Sequence, residues 1–113
     1  MLIMGILTKY SGKRKQINID WDHVEADYIE AGNPIGGDGQ VHNDFSAQGI
    51  LLESVDRNWK TQGVILVHGF CDEDDRLAVS GVQLTTECKI ALEGITLVQN
   101  GDKLPNIAIA VAG

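Results

Sequence analysis

The sequence predicts a mainly β protein, a β-rich α+β module with the compact shape of a small barrel or sandwich. Three observations lead to this fold class. Glycine is frequent, at 13 of 113 residues, and aromatic residues make up only 5%, which suits short strands joined by tight turns. Short apolar runs bounded by glycine fill the middle of the chain, as buried strands do. Helical periodicity occurs in one place, so one short helix is predicted near residues 84–93.

Residues 31–70 are the predicted centre of the fold, a series of strands separated by turns. Asn33-Pro34 begins it, because proline fixes its own φ angle and biases the preceding residue towards extended geometry. Residues 36–39 (GGDG) contain the Gly-Gly and Asp-Gly pairs that accept the positive φ angles of hairpin turns. Residues 50–52 and 64–67 are apolar runs preceded by glycine and are predicted to be buried strands.

Residues 1–29 are predicted to form an N-terminal arm followed by the first strand or strands. The apolar residues 1–7 are too short for a signal peptide core with its cleavage site. We therefore expect an arm that packs on its own domain or on a neighbouring subunit. Residues 8–15 are polar around Ser-Gly and predict a loop, whereas the alternation in residues 16–20 predicts a half-buried strand. Residues 21–30 fit either a continued strand or one short helix.

After residue 70 the pattern changes. Four consecutive acids in residues 71–76 lack the alternating ligands, the glycine and the final glutamate of a calcium loop, so a solvated turn is predicted. Residues 83–94 have apolar positions at helical spacing, with threonine to cap the start and glycine to end it. Residues 95–98 return to a strand. Residues 99–113 are predicted to be a turn and an apolar tail, and together with the β-rich unit over residues 30–98 they belong to a single domain.

The charge of the chain favours some partners over others. Its net charge of −7 comes from 16 acidic and 9 basic residues, and such a surface repels the phosphates of nucleic acids. Lys13-Arg14-Lys15 is predicted to be a solvated turn or, in a functional role, a contact with an acidic partner. Trp59, in the polar connection over residues 53–62, is expected to cover an edge of the core or to touch a partner. Neither nucleic acid nor a membrane is expected as a partner.

The two cysteines are predicted to be structural. Cys71 and Cys88 allow one disulfide at most, and neither has the CxxC spacing of a zinc site or a redox pair. We expect two free, largely buried thiols in a reducing compartment.

The residues that could carry chemistry do not form a recognisable set. Residues 64–70 (VILVHGF) look like the strand and oxyanion loop of α/β-hydrolases, but the chain has no G-x-S-x-G nucleophile elbow. His23, His42 and His68 are widely spaced and are predicted to be structural. The glycines at 36–39 lack the lysine and the helix of a phosphate-binding loop. The prediction is no catalytic, cofactor-binding or metal-binding residue, no cofactor, and no enzymatic activity.

An ordered set of short motifs gives the chain a family resemblance. The motifs are Ala31-Gly32-Asn33-Pro34-Ile35, Asp38-Gly39, Ala47-Gln48-Gly49-Ile50-Leu51-Leu52 and Val67-His68-Gly69-Phe70. A short helix and a closing I-T-L strand follow within residues 87–98. In this order the motifs resemble the head fibre proteins of tailed bacteriophages and, more loosely, phage head decoration proteins. The resemblance covers roughly residues 30–98.

This resemblance implies a non-enzymatic structural protein of the virion, made in the cytoplasm of a bacterial host. It would bind the outside of the capsid through contacts with the major capsid protein, as a homo-oligomer and most simply a trimer. The short chain favours a decoration protein or the base of a head fibre over a long fibre. Residues 1–7 and 107–111 are the expected contact segments, and the resemblance supplies no site residues.

Three other functions are weighed against this one. A structural protein of the phage tail or baseplate would also use a small β module. A module that binds a small ligand or a sugar usually exposes several aromatic rings for stacking, and this chain has only two Trp, two Tyr and two Phe. An enzyme is the weakest of the alternatives, since no catalytic set is recognised.

Overall fold

Seven strands and two α-helices make up the fold in the computed structural model, which describes residues 5–23, 27–58 and 62–98. The strands are β1 (Tyr10–Asn18), β2 (Tyr28–Ile29), β3 (Pro34–Gly36), β4 (Ala47–Leu51), β5 (Val55–Asp56), β6 (Gln62–Asp72) and β7 (Ile95–Val98). The helices are α1 (Glu73–Ser80) and α2 (Thr86–Ala91), with a 3-10 helix over Trp21–His23. The predicted fold class is confirmed, because strands predominate and helices are few. Across these described residues the sheets stay open and form no closed barrel.

β6 is the central strand of the main sheet, whose order is β1-β6-β4-β3. It pairs antiparallel with β1 along nearly its whole length and with β4 through two residue pairs. β7 joins the C-terminal part of β6 in parallel, over four residue pairs. A parallel pair needs a crossover connection, and α1 and α2 lie in it. β2 and β5 form a separate two-stranded ribbon.

Apolar residues fill both faces of the main sheet. Successive residues of a strand point to opposite faces, and accordingly Leu51 and Ile65 belong to one core cluster whereas Ile50 and Leu66 belong to the other. The first cluster also contains Ile17, Ile19, Ile29, Ile35 and Val55. The second also contains Leu7, Ala31, Ala47, Leu52, Cys71, Leu84, Cys88, Leu92 and Ile95. Because α2 and the residues beside it contribute to the second cluster, this helix covers one face of the sheet.

The predicted strands at 64–67 and 95–98 are confirmed as parts of β6 and β7, and the strand predicted at 50–52 is confirmed over residues 50 and 51, where β4 ends. The predicted loop over residues 8–15 is wrong from residue 10 onward, because β1 begins there. Residues 12–16 are all exposed on this edge strand. No apolar alternation therefore marks that part of the strand in the sequence.

The solvated turn predicted over residues 71–76 is also wrong, since α1 begins at Glu73 and the fold has a second helix beyond the predicted one. Asp72 is the N-cap, and its carboxylate accepts a hydrogen bond of 3.0 Å from the Asp75 N–H. The acids in the first turn face the positive end of the helix dipole and stabilise it. The predicted helix over residues 84–93 is confirmed as α2, with Thr85 as its N-cap.

The N-terminal arm packs on its own domain where it is described. Leu7 is buried, and its N–H donates to the Leu52 carbonyl at 2.8 Å. For residues 21–30 the sequence predicts either a strand or a short helix. Each occurs over part of this range, the helix as the 3-10 helix and the strand as β2. Residues 1–4, Trp59 and the predicted tail at 99–113 lie outside the described residues. Neither described helix is long and apolar enough to cross a membrane.

Two facing glycines allow the backbones of β1 and β6 to lie close together. Gly12 lies opposite Gly69, with φ angles of 142° and 129°. A Cβ atom on Gly69 would lie 2.1 Å from the Ser11 carbonyl oxygen, and one on Gly12 would lie 2.0 Å from the carbonyl oxygen of His68. Next to this pair the register shifts, which leaves Val67 as an extra residue on β6. The glycine of the Val67-His68-Gly69-Phe70 motif is therefore required by the backbone.

Candidate interaction surface

Residues 37–46, which we call the 37–46 loop, connect β3 to β4 and fold back along β3. The N–H of Gly36 donates to the Gln40 carbonyl at 2.9 Å, and the N–H of His42 donates to the Pro34 carbonyl at 2.9 Å. Val41 forms an isolated bridge with Ile35 of β3. The turn predicted at 36–39 is confirmed, and Gly39 has a positive φ angle of 79°. The loop therefore covers the outer edge of the main sheet.

Side chains within the loop fix its conformation further. The Asp38 carboxylate accepts a hydrogen bond from the Gln40 N–H at 3.0 Å and lies 2.9 Å from Nε2 of His42. Partial burial alone would raise the pKa of Asp38, but the hydrogen bonds from His42 and Gln40 lower it below its ordinary value. Asp44 accepts a hydrogen bond from the Ser46 N–H at 2.8 Å. The two aspartates are thus anchored while part of each side chain faces solvent.

Asn43 ties the loop to α2. Its side-chain amide donates to the Gln83 carbonyl at 2.8 Å, and its side-chain oxygen accepts from the Thr85 N–H at 2.9 Å. The Thr85 hydroxyl donates to the Asn43 carbonyl at 2.8 Å and also accepts from the Cys88 N–H at 3.1 Å. Thr85 therefore caps α2 and holds the loop at the same time. Asparagine is a common turn residue, but no local pattern in the sequence indicates that Asn43 has partners 40 and 42 positions further along the chain.

The anchored loop presents apolar side chains to solvent. Val41 is 45% exposed and Phe45 is 65% exposed. Phe45, Asp38 and His42 line an open depression of about 470 Å³, together with Gly37, Ser46, Ala47 and Gln48. Loops held rigidly by a scaffold commonly carry binding functions. The result is a preformed surface that combines two exposed apolar side chains, Val41 and Phe45, with the partly exposed acids Asp38 and Asp44.

A second surface has the opposite charge. Lys9, Lys13, Arg14 and Lys15, which we call the basic edge, lie on β1 or just before it and are exposed. They are 4 of the 9 basic residues, so the rest of the chain has a net charge of −11, from −7 minus +4. β1 is an outer strand of the main sheet. Lysine on an outer strand discourages pairing with unrelated strands.

His23, His42 and His68 lie in three different elements of the fold. His42 lies in the 37–46 loop, and His68 is exposed on β6, opposite Lys13 of β1. His23 ends the 3-10 helix. Within residues 5–23, 27–58 and 62–98, no three His, Cys, Asp or Glu side chains are placed to hold a metal ion. The hydrolase-like residues 64–70 lie within β6, so His68-Gly69 is part of a strand and not of a loop.

Tyr28, Glu30 and Ser54 form a hydrogen-bonded cluster that the sequence analysis did not anticipate. Glu30 accepts hydrogen bonds from the hydroxyl groups of both Tyr28 and Ser54. The Ser54 hydroxyl also accepts from the Ala31 N–H at 2.7 Å, and the Ser54 N–H donates to the Gly5 carbonyl at 2.9 Å. Burial and the hydrogen bond to Glu30 raise the pKa of Tyr28. These contacts fasten the N-terminal arm to the domain.

The cysteines lie where the sequence predicts. Cys71 and Cys88 are free thiols, 1% and 0% exposed, and both belong to the core cluster beneath α2. Burial raises the pKa of Cys71 to about 12 and also raises that of Cys88. Neither thiol has the exposure and the lowered pKa of a reactive cysteine.

Comparisons with protein families, with curated proteins and with solved structures found no match for this chain.

Proposed function

We propose that this chain is a non-enzymatic structural protein of a tailed-phage virion that binds the outside of the capsid, as head decoration or as the base of a head fibre. The observation that carries the proposal is the 37–46 loop, an anchored surface on which Val41 and Phe45 are exposed. Protein interfaces commonly have an apolar centre and a polar rim. The resemblance of the ordered motifs to head fibre proteins suggests the major capsid protein as the partner.

The shape of the loop suits a protein that attaches to a rigid shell. Hydrogen bonds of its backbone and of Asp38, Asn43 and Asp44 set the conformation before any partner arrives. A preformed surface loses little conformational entropy on binding, so more of the contact energy becomes affinity. The trimer that the resemblance implies would multiply this gain, since linked copies bind the shell together.

The test uses heads assembled from the major capsid protein encoded beside this chain's gene. Purified protein is mixed with empty heads and sedimented, and we expect it to sediment with them. Substituting Val41→Ser with Phe45→Ser should weaken binding at least about tenfold, because it removes the apolar centre of the contact. Ile90→Ser is the matched control, since Ile90 is 56% exposed on α2 and lies outside the loop.

Two results would overturn the proposal. One is wild-type protein that stays in the supernatant at every head concentration. The other is a gene neighbourhood without genes for a portal, a protease or a major capsid protein.

The depression beside Phe45 is the observation that favours the second candidate, a module that binds a small ligand or a sugar. A sugar stacks its apolar face on an aromatic ring while its hydroxyl groups bond to nearby polar side chains. Phe45, Asp38, His42 and Gln48 supply both kinds of group around the depression. A Phe45→Ala variant that loses binding to a glycan array, while wild-type protein ignores phage heads, would establish this candidate in place of the first.

A further inference from the structure

We propose that two copies of this chain associate through complementary surfaces, with the basic edge of one copy against the 37–46 loop of the other. The occupant of the basic edge is thus a second copy of the chain. Because the 37–46 loop is also the surface proposed to bind the capsid, each loop binds either a second copy or the shell, and the test therefore uses the purified protein without heads.

Cations and acids occupy different segments in the first half of the chain. Residues 5–15 contain four cations and no acid, whereas residues 16–56 contain nine acids and neither lysine nor arginine. The basic edge comes from the first segment and the 37–46 loop from the second. Two copies therefore attract each other only when unlike segments meet.

The basic edge cannot pair with itself. A two-fold pairing of β1 with β1 would place Lys13, Arg14 and Lys15 of one copy beside the same cations of the other. Like charges directly opposite each other destabilise a strand pair. Residues 12–16 are exposed, so these cations can reach an acidic surface.

The 37–46 loop has exposed acids that can pair with the cations of the basic edge. Asp38 and Asp44 hold negative charge at fixed positions, with side chains 45% and 57% exposed. Val41 lies between them in the sequence and Phe45 directly follows Asp44, and the aliphatic stems of lysine and arginine can pack against both. A guanidinium or ammonium group over the Phe45 ring would add a cation–π contact.

The experiment measures the mass of the purified protein by sedimentation velocity as a function of salt. We expect a mass above that of the monomer at about 0.05 M NaCl and a return to the monomer at about 0.5 M, because salt screens exposed charges. Wild-type protein that remains monomeric at low salt and at concentrations up to about 0.1 mM would overturn the proposal.

Two variants identify the surfaces. The first reverses the basic edge by Lys13→Glu, Arg14→Glu and Lys15→Glu, and the second changes the loop by Val41→Lys and Phe45→Lys. None of these five side chains belongs to a core cluster, so both variants should fold, which circular dichroism checks. Each variant alone should be monomeric at low salt.

An equal mixture of the two variants is the decisive sample. The unaltered loop of the first variant can then meet the unaltered basic edge of the second, so the mixture should associate although neither component does. The control is Ile90→Lys, which adds a cation at a similarly exposed apolar position on α2 and should keep the wild-type mass. Wild-type mass in the edge variant, or a mixture that stays monomeric, contradicts the pairing of these two surfaces.

Discussion

Gly69 shows how a single residue determines the pairing of two strands. It faces Gly12 across β1 and β6. A side chain at either position would clash with the backbone of the opposite strand. The contact is with a carbonyl group and not with the end of a flexible side chain, so the neighbour cannot move aside without disturbing the sheet. The sequence displays both glycines, but only the register of the two strands reveals that they meet.

Gly69→Ala should therefore lower the free energy of unfolding by about 3–5 kcal/mol, through backbone strain and the clash with the Ser11 carbonyl. Gly81→Ala is the matched control. Gly81 also has a positive φ angle, of 68°, but no atom lies within 4 Å of its added Cβ. It should lose only about 1–2 kcal/mol from strain. Urea unfolding measures both, and equal losses would refute the role given to the clash.

Arg76 is the charged residue at the centre of the α1 region, and its side chain is fully buried. A guanidinium group has five N–H donors, and here they serve both oxygens of Glu73, the carbonyls of Gly32 and Val82, and the hydroxyl of Ser80. The acidic run before it suggested a solvated turn. In the structure, one acid of that run caps the helix and the next pairs with this arginine.

Arg76→Met should destabilise the fold by about 3–5 kcal/mol, because it leaves a buried carboxylate and two carbonyls without their donor. Adding Glu73→Leu should recover part of the loss, since the unpaired charge is removed as well. A double-mutant cycle in urea measures the coupling between the two residues. Arg14→Met, on the exposed part of β1, serves as the control and should change stability by less than about 0.5 kcal/mol. Additive effects of Arg76→Met and Glu73→Leu would be inconsistent with the buried pair.

Among the elements of the fold, the 37–46 loop and α2 act as one unit because Asn43 and Thr85 hold them together. The sequence predicts the turn at residues 36–39 and the start of α2 separately. It cannot predict their contact, because hydrogen bonds between residues some 40 positions apart leave no local pattern. The exposed edge strand β1 is predicted only from residue 16 onward, because the residues before it are mostly exposed and show no apolar alternation.

Asn43→Ala should loosen the loop and the first turn of α2 while leaving the main sheet intact. The substitution removes two side-chain hydrogen bonds, each worth about 1 kcal/mol. Amide hydrogen exchange should accelerate about tenfold or more in residues 40–47 and 85–89, and should be unchanged in β6. Asn58→Ala, in the exposed turn after β5, is the control and should leave these rates as they are. Uniform acceleration across the molecule would show that Asn43 supports the whole fold and not this unit.

At the scale of the whole molecule, both thiols lie in the core cluster beneath α2. A reagent can therefore reach them only when the fold opens, so their labelling rate measures global unfolding. The two cysteines were predicted to be free and buried, and the structure confirms it. An aromatic disulfide reagent at pH 8 should react with the native protein at least about a thousandfold more slowly than with the unfolded protein. The Cys88→Ser variant isolates Cys71 for the measurement. Rapid labelling without loss of the folded signal would contradict the burial of that residue.

The raised pKa of Cys71 predicts the direction in which stability changes with pH. Because burial raises the pKa of the folded thiol to about 12, the unfolded chain loses its proton first, near the ordinary value of 9.0. The contribution of this thiol to stability is complete below pH 9 and is lost as the pH rises from 9 towards 12. Wild-type stability relative to Cys71→Ser should therefore fall by up to about 1.4 kcal/mol per pH unit in that range. A difference that does not vary with pH would exclude this linkage.

The central position of β6 has a consequence for how the chain acquires its fold on the ribosome. β1 is complete once residue 18 has been synthesised, but the strand with which it pairs ends at residue 72. At typical rates of synthesis this interval lasts about 3–10 s. For that time Leu7 and Ile17, which later enter opposite cores, have no sheet to cover them. The charges of residues 13–15, which lie between these two apolar residues, are then the nearest protection against premature aggregation of the nascent chain.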